Sequence, residues 1–282
     1  MTGPAFRLGD RLGIGLLGEL AIVLGTLVVL FLLVYPTAWV IVASFRTPET
    51  MFVAGRWEFT IRNYVSLLSS GFWLNILNSL GLCIVSVLIS TVLAVNAAYA
   101  FSRLNFPAKR TLFASVLFGQ TFPWIVLVTP IFVLCARLGL LNTWLSMMLV
   151  YVAVTLPFSI YLLVGYLRAV PRSLDEAAVI DGATQLQIVW KIVLPIMLPG
   201  IVATATYAFL LCWSEYLFAL ALLTQDEMKT MPLALYAYFG ENVTEWGSVM
   251  AASALTTLPT LLLFLPLQAR MTSGLAAGSV KQ

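Results

Sequence analysis

Ser-Leu-Asp-Glu-Ala-Ala-Val-Ile-Asp-Gly-Ala-Thr-Gln-Leu-Gln-Ile-Val-Trp-Lys-Ile-Val-Leu-Pro-Ile-Met-Leu-Pro-Gly, residues 173–200, is a polar and charged stretch set between long apolar runs. It carries its own helix punctuation. Ser173 with Glu176 three residues on is a capping-box pattern, and Thr184 with Gln187 is a second one. Gly182 supplies the left-handed residue that stops a short helix. The pattern predicts two short helices, 174–181 and 185–193, broken at Gly182, with Pro195 opening the next long segment. On the first, Leu174, Ala177, Ala178 and Asp181 fall at i, i+3, i+4 and i+7 and share a face. That face is small and only mildly apolar. It suits another protein's groove and is too slight to hold a core together.

The surroundings of this stretch set the class. Of 282 residues, 61% are hydrophobic and only 10% charged, against about 25% charged in a soluble domain. Residues 20–45 and 63–102 contain no charge at all, and each run exceeds the roughly 20 residues that cross a bilayer. The chain therefore reads as a polytopic helical membrane protein, because backbone groups in lipid must pair internally. The net charge of +3 is no argument for a nucleic-acid partner. With no histidine, His-based catalysis and most metal sites are excluded. Cys83, Cys135 and Cys212 all lie in apolar runs and read as small buried residues rather than disulfides or ligands.

In chain order, residues 1–18 form a polar-to-amphipathic arm, and the first helix follows over 20–45. Its length exceeds a signal-peptide core of about 7–15 residues, so it reads as retained. A polar loop, 46–72, leads to helix two over 74–102, which contains Asn75, Asn78 and Asn96. Helix three lies within 111–136 and is expected to be interrupted near Pro123 and Pro130. Asn142 is the expected cap of helix four, 143–167, with Pro157 as a kink. Helix five is expected over 197–223 with Glu215 inside it, then a loop over 225–247 and helix six over 248–269. The domain division is an arm (1–18), a six-helix domain (19–270) holding the 168–195 loop, and a tail (271–282).

Six spans put both termini on one side. With the N-terminus inside, the inner segments hold ten Lys and Arg, among them Arg103, Lys109, Arg110, Arg168, Arg172 and Lys191. The outer loops hold five: Arg46, Arg56, Arg62, Arg137 and Lys229. The positive-inside rule then selects N-in and C-in and sets the 173–195 loop in the cytoplasm.

Glu215 is the one ionisable residue deep within a predicted span, and such a group is by default a functional candidate. Trp213 and Tyr216 flank it, a combination of aromatic faces and an acceptor that suits sugar hydroxyls. The alternative is a hydrogen bond across a helix interface, and Asn75 and Asn78 face the same choice between pathway and interhelical bonding. No nucleophile–base pair or paired carboxylates appear, and the sequence has no Gly-Lys pair, so the phosphate-binding Gly-x-x-x-x-Gly-Lys-Ser/Thr loop is absent. No catalytic role is assigned, and any ATP-driven work requires another subunit.

The pattern Glu176-Ala177-Ala178, three residues, Gly182, nine residues, Ile192, one residue, Leu194-Pro195 resembles the EAA loop of ABC-importer permeases. Further segments are similar to carbohydrate-importer permeases of the MalG type. They are Ala98-Tyr99-Ala100-Phe101-Ser102-Arg103 with Phe106-Pro107, Pro171, Asp181-Gly182-Ala183, Trp246-Gly247 with Met250-Ala251-Ala252, and the tail Gln268 to Lys281, from which Ser279 and Gln282 depart slightly. The resemblance runs from about residue 20 to the end.

It implies a type I importer half of six helices in a bacterial or archaeal cytoplasmic membrane. The expected partners are a homologous second permease, two ATPase subunits and an extracytoplasmic solute-binding protein, with a sugar as substrate. ATP and Mg would be bound by the ATPase subunits, and this chain carries no cofactor. The coupling positions implied are Glu176, Ala177, Ala178, Asp181, Gly182, Ala183, Leu194 and Pro195. The 225–247 loop would meet the binding protein, and residues 274–281 would reach toward the ATPase. A permease for another organic solute, such as a polyol or a glycerol-phosphate, is the alternative within the class. A secondary transporter would need midplane ion or proton sites, for which one Glu and no His offer little.

Overall fold

The computed structural model describes residues 16–240 and 244–279, with side chains over 17–240 and 244–263. The arm up to residue 15, residues 241–243 of the 225–247 loop, and residues 280–282 of the tail lie outside the described residues.

The first apolar run forms α1, Leu16–Ser44. None of its most apolar window is buried inside the protein. Most of its side chains are exposed on the outside of the bundle, and it packs chiefly on the last helix, α11, Trp246–Ser279. The segment after α1 is an ordered cap rather than a plain loop. Arg46, only 2% exposed, donates to the carbonyls of Thr50, Val53 and Arg56 and lies 4.4 Å over the Trp57 ring. A short amphipathic helix, α2, Arg62–Ser69, follows inside the expected loop. Its Asn63 donates to the Ser44 and Arg46 carbonyls at 2.8 and 2.9 Å, closing the cap onto the end of α1.

Helix α3, Phe72–Arg103, and helix α6, Trp144–Arg168, form the most extensive contact in the bundle. The cause is a stripe of small residues on α3. Ser86, Ser90, Ala94 and Ala98 recur every fourth position and are fully buried. Small side chains let two backbones approach closely in lipid, where no hydrophobic gain separates helix from solvent. Thr155 of α6 donates to Ser90 Oγ at 2.9 Å across this seam.

The third span is broken. Helix α4, Lys109–Phe118, runs through a 3-10 turn to Thr121, and α5, Trp124–Arg137, leaves at 99° to it. Pro123 makes the break by holding Phe122 extended. Pro130 does not interrupt: α5 is continuous through it. Thr143, not Asn142, caps α6 by accepting from Ser146 N; Asn142 adopts a positive φ of 55° and its Oδ1 instead accepts from Thr224 N and Gln225 N.

Helix α7, Ser173–Ile180, follows α6. Helix α8, Gln185–Trp213, is longer and starts earlier than expected. Pro195 removes the N–H that would bond the Lys191 carbonyl and crowds it. The turn before it widens into a π-helical stretch, Ile188–Val193, and the helix carries through. The second short helix and helix five are thus one element. It ends at Trp213, so Glu215 sits in a three-residue break and not within a helix; α9, Leu217–Leu222, follows. The expected 225–247 loop contains α10, Met231–Tyr236, whose Met231, Leu233 and Ala234 are buried. The last helix α11 runs on through 271–279, where a separate tail was expected.

Among the described residues, five helices are long and apolar enough to cross a membrane, and the bent pair makes a sixth span when taken as one. Among the described residues there are only two isolated β-bridges and no named strand. The three cysteines are free and buried, as expected.

Helix α8 packs tightly against α6 at Gly200, where a Cβ would meet the Tyr166 ring at 2.5 Å. We predict that Gly200→Ala destabilises the detergent-solubilised protein by about 1–3 kcal/mol through overpacking. Adding Tyr166→Ala should restore most of that loss in a thermal denaturation series; an unchanged midpoint for the single variant would show that the helices do not meet there.

Candidate functional site

The 173–195 loop is built by local chain rules. Helix α7 ends with Ala183 N on Ala178 O at 2.9 Å and Gly182 N on Val179 O at 3.0 Å, a Schellman cap. That cap needs a left-handed residue at Gly182, whose φ is 79°. One residue later a second helix opens: Thr184 Oγ1 accepts from Gln187 N, and Gln187 Oε1 accepts from Thr184 N at 2.8 Å. The first expected capping box does not form. Helix α7 starts at Ser173 itself, with Arg172 at the cap position and no side chain capping it. The Arg172 guanidinium is drawn to the Ser102 carbonyl at 3.1 Å instead.

The loop is fixed to the end of α3 by polar ties. Arg103 Nε lies 2.7 Å from Asp175 Oδ2, both side chains being nearly buried, in a contact that is ionic rather than a well-aligned hydrogen bond. Arg103 also donates to the Val170 carbonyl at 2.7 Å, and Tyr99 Oη donates to Gln185 Oε1 at 3.0 Å. Ala178 packs into a cluster with Ala98, Leu163, Val164, Val189 and Val193. This revises the expected shared face. Ala178 turns into the protein's own core, while Leu174, Ala177 and Asp181 stay exposed. The exposed apolar surface is displaced to Val179, Ile180 and Leu186, which are 54%, 86% and 66% exposed. Glu176 lines a hollow of about 350 Å³ beside them, with Tyr99, Arg103, Asp175, Ile180 and Gln185. Leu194 and Pro195 lie at the π-to-α junction of α8.

The polar residues singled out within the bundle separate into two groups. Glu215 is 7% exposed, and its two carboxylate oxygens accept from Phe218 N at 2.7 Å and Ala219 N at 3.2 Å. It serves the free amides at the start of α9, where negative charge is favourable. Asn78 donates to the Glu227 and Lys229 carbonyls at 2.7 and 3.1 Å, Asn75 donates to the Lys229 carbonyl, and Ser79 Oγ accepts from Met231 N. All four thus hold the chain that re-enters the bundle. Within that chain the Lys229 ammonium hydrogen-bonds Asp226 and holds its carboxyl below the ordinary range.

Trp213 belongs to the second group. It lines a cavity of about 520 Å³ together with Ser214, Thr256, Thr257 and Thr260, and no charged side chain lines this cavity. Its Nε1 donates to the Thr256 carbonyl at 3.1 Å. Tyr216 does not line this cavity and instead packs on Tyr236 with ring centroids 5.4 Å apart. Sequence reading did not single out the threonines. Hydroxyls in membrane helices ordinarily bond their own helix, as Thr256 and Thr257 do to Ser253 O and Ala254 O, so they carry no distinguishing signal. Nor did it find Arg103–Asp175, whose only trace was a cation at one helix end and an acid at the start of another.

Long apolar helices around a doubly capped polar loop define a multi-pass membrane protein. Residues 86–273 match the family described as "Binding-protein-dependent transport system inner membrane component", and the chain belongs to that family. It is thus an inner-membrane component of a binding-protein-dependent transport system. It is 34% identical over 265 residues to the diacetylchitobiose uptake system permease protein DasC of Streptomyces coelicolor, covering 91% of this chain and 95% of that one. It is also 34% identical over 271 residues to the trehalose/maltose transport system permease protein MalG of Thermococcus litoralis, covering 94% and 98%. Its fold is similar to a chain in the crystal structure of a bacterial ABC transporter involved in import of the acidic polysaccharide alginate. The TM-score is 0.75 at 22% identity, over 95% of this chain and 99% of that one.

The ion pair makes a direct prediction. Asp175→Asn leaves the Arg103 charge buried without its partner and should cost about 3 kcal/mol. Replacing both residues with apolar ones, Arg103→Met with Asp175→Leu, should cost clearly less than the single change. Denaturation midpoints for the single and double variants measure this, and equal losses would mean that the contact is incidental.

Proposed function

We propose that this chain is one half of the membrane pathway of an ATP-driven sugar importer and that its 173–195 loop docks on the ATPase. The observation that carries the reading is the loop itself. It is rigidly capped and tied to α3 and the core, yet it turns Val179, Ile180 and Leu186 outward beside Glu176. An apolar face of that kind, held on a charged rim, is what a partner cleft needs. Glu176, Ala177, Ala178, Asp181, Gly182, Ala183, Leu194 and Pro195 shape and support it. The bias of Lys and Arg supports an N-in, C-in orientation in a bacterial or archaeal cytoplasmic membrane, with the loop inside. The assembly would comprise a homologous second permease, two ATPase subunits that hold ATP and Mg, and an outer solute-binding protein over the 225–247 segment.

The names of the relatives, diacetylchitobiose and trehalose/maltose, support a sugar as cargo. The cavity at Trp213 agrees in chemistry: an indole, five hydroxyl side chains and no charge suit a neutral polyol surface. A glycerol-phosphate would call for a cation there.

Two measurements test the docking role. Gly182→Asp strains the left-handed turn by about 1–2 kcal/mol and adds a charge beside open space, so the protein should still insert. In a complex purified on a tagged copy of the chain, the wild type should bring down an ATPase whose turnover rises with sugar-loaded binding protein. The variant should lose at least ten-fold of that response, and full transport by it would sink the proposal. Separately, the native cysteines are buried, so Ile180→Cys offers one clean labelling site. A maleimide should reach it only from the cytoplasmic side and only in the absence of the ATPase; labelling from outside would reverse the orientation.

A further inference from the structure

We infer that the end of the bundle bearing the 173–195 loop contains a binding site for the phosphate headgroup of an anionic phospholipid. The site is a cavity of about 290 Å³ between the ends of α3, α4 and α6, lined by Phe101, Lys109, Arg110, Phe113, Val164 and Arg168.

Its layout is graded in polarity. Lys109 and Arg110 open α4 and Arg168 closes α6, so the three cations sit where apolar spans meet the membrane boundary. Phe113 is one turn further into α4 than Lys109, and Val164 one turn back along α6 from Arg168, each about 6 Å deeper. Phe113 packs on Phe101 with ring centroids 5.2 Å apart, giving the cavity an apolar floor. A cationic rim over an apolar floor matches the phosphate and first acyl carbons of a phospholipid. A free anion would gain nothing from the floor.

The charges here are also uncommitted. At the same end of the bundle Arg103 is taken by Asp175, and Arg172 by the Ser102 carbonyl. Lys109 bonds the Leu104 carbonyl and keeps its other donors, while Arg110 and Arg168 have no carboxylate or hydrogen-bond partner among the described residues. No acidic side chain lines the cavity; Asp175 and Glu176 line the neighbouring hollow instead. The first amides of α4 have no side-chain cap at Ala108, which adds partial positive charge to the rim.

The test uses the full chain, delipidated in dodecyl maltoside and titrated with phosphatidylglycerol or phosphatidylcholine under native mass spectrometry. One phosphatidylglycerol should be retained in preference to phosphatidylcholine. Arg110→Gln with Arg168→Gln should weaken it about 30-fold, and each single change about 5-fold. The single variants carry the test if the double one aggregates. Arg110→Lys with Arg168→Lys should keep most of the preference, and Arg56→Gln with Arg62→Gln, which removes equal charge elsewhere, should leave it unchanged. Equal retention of the two lipids, or of phosphatidylglycerol by wild type and the Gln variants, overturns the site. Displacement of the lipid by 10 mM inorganic phosphate would make it a free-anion site. Exclusion of the lipid from the ATPase-bound complex, with loss of the ATPase in the Gln variants, would make it a protein-docking patch; both outcomes overturn the proposal.

Discussion

Arg103 and Asp175 join the last turn of α3 to the first turn of α7, and the position of the 173–195 loop depends on that contact. Two charges that are nearly buried gain little net stability from meeting, because desolvation offsets most of their attraction. Their effect is to forbid alternatives: any movement of α7 away from α3 leaves a charge stranded. Tyr99–Gln185 and Arg172–Ser102 tie the same two regions, and Ala178 seats α7 in the core shared by α3, α6 and α8. A force on the exposed Ile180 face therefore reaches α3 with little slack. The small-residue seam from Ser86 to Ala98 passes it to α6 over about 18 Å of helix. Packed interiors move between discrete arrangements rather than deforming smoothly, so on the proposed reading this seam would transmit displacement as a unit.

What could be read from sequence followed from rules that act within a few residues. The apolar spans, the left-handed Gly182 and the Thr184–Gln187 box all need only their neighbours. Pro195 misled because its local cost has a local remedy, the π turn over Ile188–Val193, which depends on packing of Ile188, Val189 and Val193 that no short window reveals. Ser173 misled because Arg172 found a partner on α3, moving the helix start by one residue. The break at Glu215 has no compositional mark, since Ser214–Tyr216 would serve equally within a helix. The Arg103–Asp175 pair was invisible because its members are distant in sequence and each, alone, resembles an ordinary boundary charge.

Polar side chains within the membrane region differ in whether their hydrogen bonds are permanent. Glu215, Asn75, Asn78 and Ser79 are all committed to backbone groups of the chain between α8 and α11. Releasing Glu215 or Ser79 to hold a passing solute would orphan buried amides, at about 1–3 kcal/mol each, and releasing Asn75 or Asn78 would free the partly buried Lys229 carbonyl. They are fixtures of the fold, which is why the cost of setting them in an apolar region is tolerated.

The hydroxyls around the Trp213 cavity are in a different state. Ser214, Thr256 and Thr257 donate their single proton to their own helix, at Leu210 O, Ser253 O and Ala254 O. Each oxygen keeps a lone pair free to accept from a solute. A solute hydroxyl can donate to these groups and leave again without stranding any donor, so no step of passage is held by a bond too strong to break. On the proposed reading, this surface of acceptors beside an indole offers a sugar many weak contacts and no single strong one. That is the condition a pathway must meet, and it leaves selection among sugars to a partner that binds them before they arrive.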